Sequence, residues 1–377
     1  MKSNNIIRLS KSCIGESEKN AVMDVLDREF LGMGSEVQEF ELALSDYFGR
    51  TALCAVNGTA ALHLALQACG IGIGDEVLVQ SLTYIASFQA ISATSAVPIA
   101  CDLNPDTLTI DLQDAERRIT SKTKAIMPVH YSGGVGALAD IYTFAEKHNL
   151  RVIEDAAHSF GTSYNGKRIG GFGDIACFSF DGIKNITSGE GGCIVCDDVQ
   201  VIKQFKDARL LGVQKDSEKR FDKQRSWEFD VSSQGWRYHM SNIMAAIGIE
   251  QLKRLPEFSI RRQKLALIYD KLFSASKLIT TLCNDYTQVV PHIYPVILDN
   301  SISREFVRKE LLKMGIQTGI HYQPNHHLTM YASPYVNLKN TDIISPYLLT
   351  LPMHPDLSDD DVNYISKCLK LVINDEG

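Results

Sequence analysis

The chain has 377 residues, of which 45% are hydrophobic and 22% are charged, and its formal net charge is −7. This length is typical of one large domain joined to a smaller one. The acidic balance argues against a nucleic-acid partner, because binding to the phosphate backbone requires a basic surface. With no run of about 18 apolar residues and no signal-peptide pattern, the sequence predicts a cytoplasmic protein without membrane association.

Nine cysteines are scattered between Cys13 and Cys368. An odd number in a chain of this length is typical of free thiols rather than of a disulfide framework. The closest pair, Cys193 and Cys196, lies in a predicted strand, where residues three apart point to opposite faces. This spacing argues against a shared metal or redox centre.

From residue 51 to about residue 200, short β-rich runs alternate with longer helical runs. The predicted strands are Ala52–Val56, Glu76–Val79, Val97–Asp102, Ala125–His130, Arg151–Asp155, Ile175–Phe180 and Gly192–Cys196. The predicted helices are Thr59–Cys69, Ala86–Ser95, Ala137–His148 and Val201–Leu211. This alternation predicts crossover connections, and therefore an α/β fold in which helices cover both faces of a mostly parallel sheet.

After Ser241 the pattern changes to a long helix, Asn242–Phe273, which we expect to be interrupted near Pro256. A smaller α/β unit follows. Its predicted elements are the strand Ile293–Leu298 and the helices Ser303–Met314 and Asp359–Ile373. We therefore expect a large domain over residues 1–250 and a small C-terminal domain over residues 251–377.

Residues that follow the strands are the first candidates for a site, because ligands of open parallel sheets bind beyond the carboxyl ends of the strands. After the first strand, the segment Asn57–Ala60 opens a helix. It is either an anion site made of N–H groups and a hydroxyl, or an ordinary cap with Thr59 near the N-cap position. Asp155 ends an apolar strand, where a buried carboxylate needs a cationic partner. That partner is either a protonated pyridine nitrogen or a structural Arg or Lys.

Two further segments carry basic side chains. Lys184 follows the strand that ends at Phe180, among small residues that would let a ligand approach its amine closely. A lysine in a loop is more commonly just solvated. The loop Gly235–Asn242 is either the capped start of a helix, with Ser241 as N-cap, or a basic and aromatic loop directed at a phosphate.

Three segments, taken together and in this order, resemble the motifs of the DegT-type nucleotide-sugar aminotransferases. They are Asn57-Gly-Thr-Ala-Ala-Leu, Glu154-Asp-Ala-Ala-His and Lys184-Asn-Ile-Thr-Ser-Gly-Glu-Gly-Gly. The similarity extends over nearly the whole chain, from Gly34 to Pro324. The resemblance implies a fold-type-I transferase that uses pyridoxal 5'-phosphate (PLP), with a large domain and a smaller C-terminal α/β domain.

The resemblance also implies roles for individual residues. Lys184 is expected to bind the cofactor covalently, Asp155 to keep the pyridine nitrogen protonated, and His158 to lie beside the ring as a third catalytic residue. The other cofactor-binding residues that it implies are Gly58, Thr59, Ala60 and Ser179 around the phosphate, Tyr84 on the ring face, and Arg237.

In this family the loop that corresponds to Gly235–Asn242 reaches the cofactor of the neighbouring subunit. The resemblance therefore implies a homodimer with shared active sites. This chain has Arg237 and His239 where the family commonly has Asn and Arg. Arg237 can still donate to a phosphate, whereas the role of His239 stays open.

The loop Gly319–His327 is expected to line the sugar site through His321, Tyr322 and His326. Its three histidines could suggest a metal site. The loop contains a proline and no clear acidic ligand, so we expect no bound metal.

These assignments predict transfer of an amino group from L-glutamate to a nucleotide-linked 4-keto-6-deoxyhexose. The first candidate is dTDP-4-keto-6-deoxy-D-glucose, which would give dTDP-4-amino-4,6-dideoxy-D-glucose for a surface polysaccharide such as the O-antigen of lipopolysaccharide. A GDP- or UDP-linked 4-keto sugar and amination at C3 are alternatives. A PLP-dependent sugar dehydratase is disfavoured by Lys184 and by the lack of clustered cysteines. A non-catalytic regulator that binds PLP or a sugar is disfavoured because Lys184 and Asp155 are both present.

Overall fold

The computed structural model describes residues 6–222, 227–333 and 336–375. Its strands are β1 Ala52–Ala55, β2 Glu76–Gln80, β3 Val97–Cys101, β4 Thr123–Met127, β5 Arg151–Asp155, β6 Ser163–Tyr164, β7 Lys167–Arg168, β8 Ile175–Ser179, β9 Gly192–Val195, β10 Ile279–Thr281, β11 Tyr294–Leu298 and β12 Leu348–Leu351. Its helices are α1 Glu16–Asp27, α2 Ser35–Phe48, α3 Gly58–Ala68, α4 Ile85–Ala93, α5 Leu112–Arg118, α6 Leu138–His148, α7 Val199–Ala208, α8 Asp216–Phe221, α9 Asn242–Phe273, α10 Arg304–Lys313, α11 Lys339–Ile344 and α12 Asp359–Asp375, with short 3-10 helices at Tyr131–Gly133, Asn325–His327 and Ser345–Tyr347. None of the helices in these ranges combines the length and the apolarity that crossing a bilayer requires.

A seven-stranded sheet in the order β1-β9-β8-β5-β4-β2-β3 organises the first part of the chain. The strands from β8 to β3 pair in parallel, and β9 pairs antiparallel with both of its neighbours. Every strand predicted there is present, with its ends shifted by a few residues, so the mostly parallel α/β sheet is confirmed. The strands β1, β2, β4, β5 and β8 run in the same direction, and their carboxyl ends therefore meet at one edge.

Two apolar layers lie on the two faces of this sheet. One contains residues of α2, α6 and the first half of α9, and the other contains residues of α3, α4 and α7. Cys193 belongs to the first layer and Cys196 to the second. The prediction that these two thiols point to opposite faces is therefore confirmed.

The second sheet has three antiparallel strands in the order β10-β11-β12, and it packs with α10, α12 and the second half of α9. Helix α9 runs for 32 residues without a break and contains Pro256, so the expected interruption is wrong. Leu255 and Phe258 are buried in the large core on either side of the proline. Their packing holds the helix together where the proline removes a backbone hydrogen bond. Ser241 caps α9 as predicted, because its side chain accepts from the Met244 N–H.

A buried ion pair fixes the start of the large sheet. The Arg209 side chain is fully buried and donates to the Glu41 carboxylate and to the Cys54 carbonyl oxygen, the latter at 2.7 Å. The Cys54 N–H donates to the same carboxylate at 2.8 Å. These contacts join α2, β1 and the residue that follows α7. Because β1 leads directly into Asn57, the pair also positions the segment that was predicted to bind an anion.

We expect Arg209→Ala to lower the free energy of unfolding by about 3–5 kcal/mol, because it leaves the Glu41 carboxylate buried without its cation. Urea unfolding followed by circular dichroism measures the loss. Lys19→Ala is the matched control, since it removes an exposed pair with Glu16 and should leave the unfolding midpoint unchanged. Equal midpoints for the two variants would contradict the structural role of Arg209.

Candidate active site

A cavity of about 390 Å³ lies at the edge where the carboxyl ends of the large sheet meet. This is the position expected for ligands of an open parallel sheet. The segments that follow β1, β2, β5 and β8 all contribute to its wall, and three residues of the C-terminal part of the chain complete it. The predicted site residues that line it are Gly58, Thr59, Tyr84, Asp155, His158, Ser179, Lys184, His321 and Tyr322.

Lys184 lies in the turn that follows β8, and its Nζ is 3.5 Å from His292 Nε2. Burial lowers the pKa of this amine to about 8, although the Asp155 carboxylate acts in the opposite direction. Lys184 is therefore not the solvated loop lysine that was the common alternative. A buried amine with this pKa exchanges a proton readily near neutral pH.

Asp155 ends β5, and it is buried with an exposed fraction of only 5%. Its Oδ2 accepts from Ser87 Oγ at 2.6 Å and its Oδ1 accepts from the Ala157 N–H at 3.2 Å. Within residues 6–222, 227–333 and 336–375, no Lys, Arg or His side chain forms an ion pair with this carboxylate. The alternative of a structural ion pair is therefore not seen there, and the carboxylate remains available to a ligand in the cavity.

Ser87 was not among the predicted residues. It is fully buried on α4, and its Oγ lies 3.0 Å from Thr83 Oγ1. The sequence did carry a signal, because Thr83 and Ser87 are two hydroxyls four residues apart just beyond a strand. In an α-helical turn this spacing places two side chains on one face, which here is the face next to Asp155.

Gly58, Thr59 and Ser179 form what we call the phosphate cradle. A Cβ on Gly58 would lie 2.8 Å from Ser179 Cβ, so only glycine allows this close approach. Both Gly58 and Thr59 lie in the first turn of α3, where N–H groups have no partner within the helix. An anion placed against these groups would satisfy them.

The segment Asn57–Ala60 shows two further features, and cofactor binding by Ala60 stays a prediction. The N-cap of α3 is Asn57 and not Thr59, since the Asn57 side chain accepts from the Ala60 N–H at 2.8 Å. Ala60 therefore donates within the protein, and it does not line the cavity. The short amide side chain reaches the third N–H of the helix, which leaves the Thr59 hydroxyl free to face the cavity.

Three histidines surround Lys184. His158 Nε2 lies 2.9 Å from Tyr322 Oη, and its ring centroid lies 4.5 Å from that of His292. Burial, followed by the charge of Lys184, lowers the pKa of His158 and His292 well below the ordinary value and that of His321 to about 4. The cavity therefore presents neutral imidazoles at neutral pH. His292 was not predicted, because it precedes a strand of the small sheet and follows none of the large one.

Only part of the predicted sugar loop lies in the cavity. Tyr322 lies inside, with its ring centroid 5.6 Å from that of Tyr84, which is 56% exposed at the rim. His326 does not line the cavity. It is buried between Ser81 and Asp342, because the short 3-10 helix at its position turns the chain away from the cavity.

Arg237 also lies outside this cavity. It lines a second, smaller one of about 160 Å³ together with Asp216 and Arg220. Burial, followed by the charge of Arg220, lowers the pKa of His239 to about 4, so this imidazole is neutral where the family commonly has a charged arginine. Contact of Arg237 with a cofactor in another subunit stays a prediction.

The residues of the cavity fit PLP. The cradle offers donors to a phosphate, Lys184 offers an amine to an aldehyde, and Asp155 offers a buried carboxylate without a cationic partner to a pyridinium nitrogen. A buried carboxylate of this kind is costly unless a ligand supplies the positive charge. Binding of a single PLP molecule would therefore account for the presence of all three groups in one cavity.

Comparisons with known proteins agree with this arrangement. The model of the DegT/DnrJ/EryC1/StrS aminotransferase family matches residues 12–370. MJ1066 of Methanocaldococcus jannaschii, an uncharacterised protein, is 35% identical over 374 residues, which cover 97% of each chain. The PLP form of Spr1654, a sugar aminotransferase of Streptococcus pneumoniae, is similar in structure with a TM-score of 0.91 and 30% identity over 99% of this chain and 100% of that one. PseC of Helicobacter pylori, an aminotransferase of pseudoaminic acid biosynthesis, has a TM-score of 0.90 and 27% identity over 98% of this chain and 100% of its own.

We expect the rate of covalent PLP binding by the apo-protein to rise with pH, to be half-maximal near pH 8, and to level off about one unit above that. Only the neutral amine attacks an aldehyde, and burial makes that form of Lys184 dominant above this pH. Stopped-flow absorbance across a pH series measures the rate, and Lys184→Ala gives the non-covalent baseline. A rate that still rises towards the ordinary lysine pKa of about 10 would contradict the effect of burial.

Proposed function

We propose that this chain, which belongs to the DegT/DnrJ/EryC1/StrS aminotransferase family, transfers an amino group from L-glutamate to a nucleotide-linked 4-keto-6-deoxyhexose. The chain is a PLP-dependent sugar aminotransferase, as its family and the PLP and pyridoxamine-phosphate forms of a similar sugar aminotransferase indicate. The observation that carries the proposal is that the partly buried Lys184 amine and the buried Asp155 carboxylate face one cavity, and among the described residues they form no ion pair with each other.

The residues around the cavity have different roles in a transamination. Bound PLP supplies an aldehyde that condenses with amines and a ring that withdraws an electron pair from the attached carbon. Lys184 Nζ takes the proton from the α-carbon of the amino donor and delivers a proton to the sugar carbon that receives nitrogen. Its pKa of about 8 allows the amine both to accept and to donate a proton near neutral pH. Asp155, held by Ser87, keeps the pyridine nitrogen protonated.

His292, His321 and Tyr322 form the side of the cavity that comes from the C-terminal part of the chain, and His158 faces them from the end of β5. We assign His321 and Tyr322 to the sugar, because neutral ring nitrogens and a phenol can bind the hydroxyls and the keto oxygen without adding charge. His158, which hydrogen-bonds Tyr322, is assigned a catalytic position beside the ring. The first candidate substrate is dTDP-4-keto-6-deoxy-D-glucose, with the amino sugar destined for a surface polysaccharide. All nine cysteines are free, which supports action in the reducing cytoplasm.

Absorbance spectroscopy tests both the reaction and the substrate. We expect L-glutamate to bleach the absorption band of the PLP-loaded protein, and a single keto-sugar nucleotide to restore it. The dTDP-, GDP- and UDP-linked 4-keto sugars and a 3-keto isomer are added separately, so that the one that restores the band identifies nucleotide and carbon. A band that glutamate leaves unchanged would contradict the choice of donor.

Two lysine variants make this test specific. Lys184→Ala should show no turnover at all, because it removes both the covalent attachment and the mobile proton. Lys167→Ala changes an exposed lysine of β7 and should leave turnover unchanged. Turnover by Lys184→Ala at the rate of the Lys167→Ala control would overturn the assignment of the lysine.

We further propose a homodimer in which Arg237 serves the active site of the partner. Exposed apolar side chains support an interface: Met23, Leu26, Phe30 and Leu31 are exposed along and just after α1, and the exposed Phe229 lines the same small cavity as Arg237. Large exposed apolar side chains grouped in this way are typical of association surfaces. The Phe30 carbonyl accepts from the Asn242 side chain, which links the first group to the loop that carries Arg237.

Co-expression of two inactive variants tests the shared site. Lys184→Ala and Arg237→Ala should each be inactive alone. A mixed dimer contains one site with both residues intact, so random assembly should recover about a quarter of the wild-type activity. No recovery from mixtures that sedimentation shows to be dimeric would contradict the shared site.

A further inference from the structure

A cluster of two histidines and one carboxylate lies outside the active-site cavity. Asp342 Oδ1 is 3.0 Å from His326 Nε2 and 2.8 Å from His327 Nε2. The ligand atoms of the three side chains all lie within 4.8 Å of one another. The carboxylate comes from α11, fifteen residues beyond the histidines. It is the acidic ligand whose apparent absence from the loop argued against a metal, and only the fold brings it to the histidines.

The three ligand atoms lie within 4.8 Å of one another, so side-chain rotations can bring them to the spacing of a coordination site. Tetrahedral zinc binds His nitrogen at about 2.0–2.1 Å and carboxylate oxygen at about 2.0–2.2 Å, which separates neighbouring ligand atoms by roughly 3.3 Å. The nitrogen–oxygen distances of 2.8 and 3.0 Å would therefore open by about half an ångström. His327 and Asp342 are about half exposed, so an ion can enter and a water molecule can complete the coordination.

The buried histidine is oriented by a second contact. His326 Nδ1 lies 2.7 Å from Ser81 Oγ, which also accepts from the His326 N–H at 3.1 Å. A polar partner on the nitrogen opposite to the ligating one is usual for metal-bound histidines, because it fixes the tautomer and the ring orientation. Ser81 follows β2, so the large sheet itself holds this ring in place.

We propose that His326, His327 and Asp342 bind one divalent transition-metal ion of the zinc class. Two imidazole nitrogens and one carboxylate oxygen favour such an ion over Mg²⁺ or Ca²⁺, which prefer all-oxygen sites. The site would fasten α11 to the 3-10 helix Asn325–His327. The Asn325 side chain donates to the carbonyl oxygens of Ser81 and Thr83 at 3.0 and 2.8 Å. The ion would therefore stiffen the loop that places His321 and Tyr322 at the active site.

Metal titration of the untagged, PLP-loaded protein tests the proposal after chelator treatment and dialysis. Calorimetry with ZnCl₂ and the visible absorption of Co²⁺ should both show one ion bound per chain. His327→Ala and Asp342→Asn should abolish this binding, and Ser81→Ala should weaken it about 10–100-fold. His148→Ala is the matched control, because His148 makes a single pair with Glu116 at 2.8 Å and should leave metal binding at the wild-type level.

The variants are needed to show that a bound metal ion occupies this site and not another one. The active-site histidines and the exposed thiol of Cys283 could also take up metal. Binding that is equally strong in wild type, His327→Ala and Asp342→Asn would belong to those groups and would overturn the proposal, as would no binding at all. His327 and Asp342 are half exposed, and an unchanged PLP absorption band confirms that their variants fold. Failure here leaves the aminotransferase reaction untouched, since glutamate still bleaches that band.

Discussion

The structure depends on keeping a carboxylate and an amine buried in one cavity without letting them meet. Asp155 is held by Ser87 and by a backbone N–H, and Lys184 is held near His292. If the Lys184 amine and the Asp155 carboxylate formed an ion pair, each charge would be compensated within the protein. The carboxylate would then not need a cationic ligand. The two side chains reach the cavity from different strands, because Asp155 ends β5 and Lys184 lies in the turn that follows β8. A pyridinium ring bound in the cavity would supply the positive charge that the Asp155 carboxylate needs.

The sequence predicted the large sheet well because its strands are buried on both faces and are separated by helices of regular length. Lys184, Asp155, Gly58 and Thr59 were identifiable because each follows a strand, and parallel strands bring such positions together. The continuity of α9 through Pro256 was not predictable, since it depends on long-range packing that outweighs a local preference. The choice of Asn57 over Thr59 as the cap of α3 was not predictable either, because both residue types are favoured at an N-cap.

The residues that the sequence did not reveal come from the small domain or from side-chain contacts. His292 stands before a strand of the second sheet, so no rule about strand ends points to it. His326 was assigned to the cavity by its neighbours in sequence, and the 3-10 helix turns it towards Ser81 instead. Asp342 joins the two histidines only after α11 folds back. In each case the missing information was the path of the chain between distant segments.

The single helix α9 bears on how substrate preference can change. It runs unbroken from the apolar core of the large sheet to that of the three-stranded sheet. A continuous helix resists bending between the two cores. Evolution of a new sugar preference in this scaffold then proceeds through exposed positions at the entrance, such as Tyr84, where side chains can be exchanged while the buried catalytic groups stay as they are.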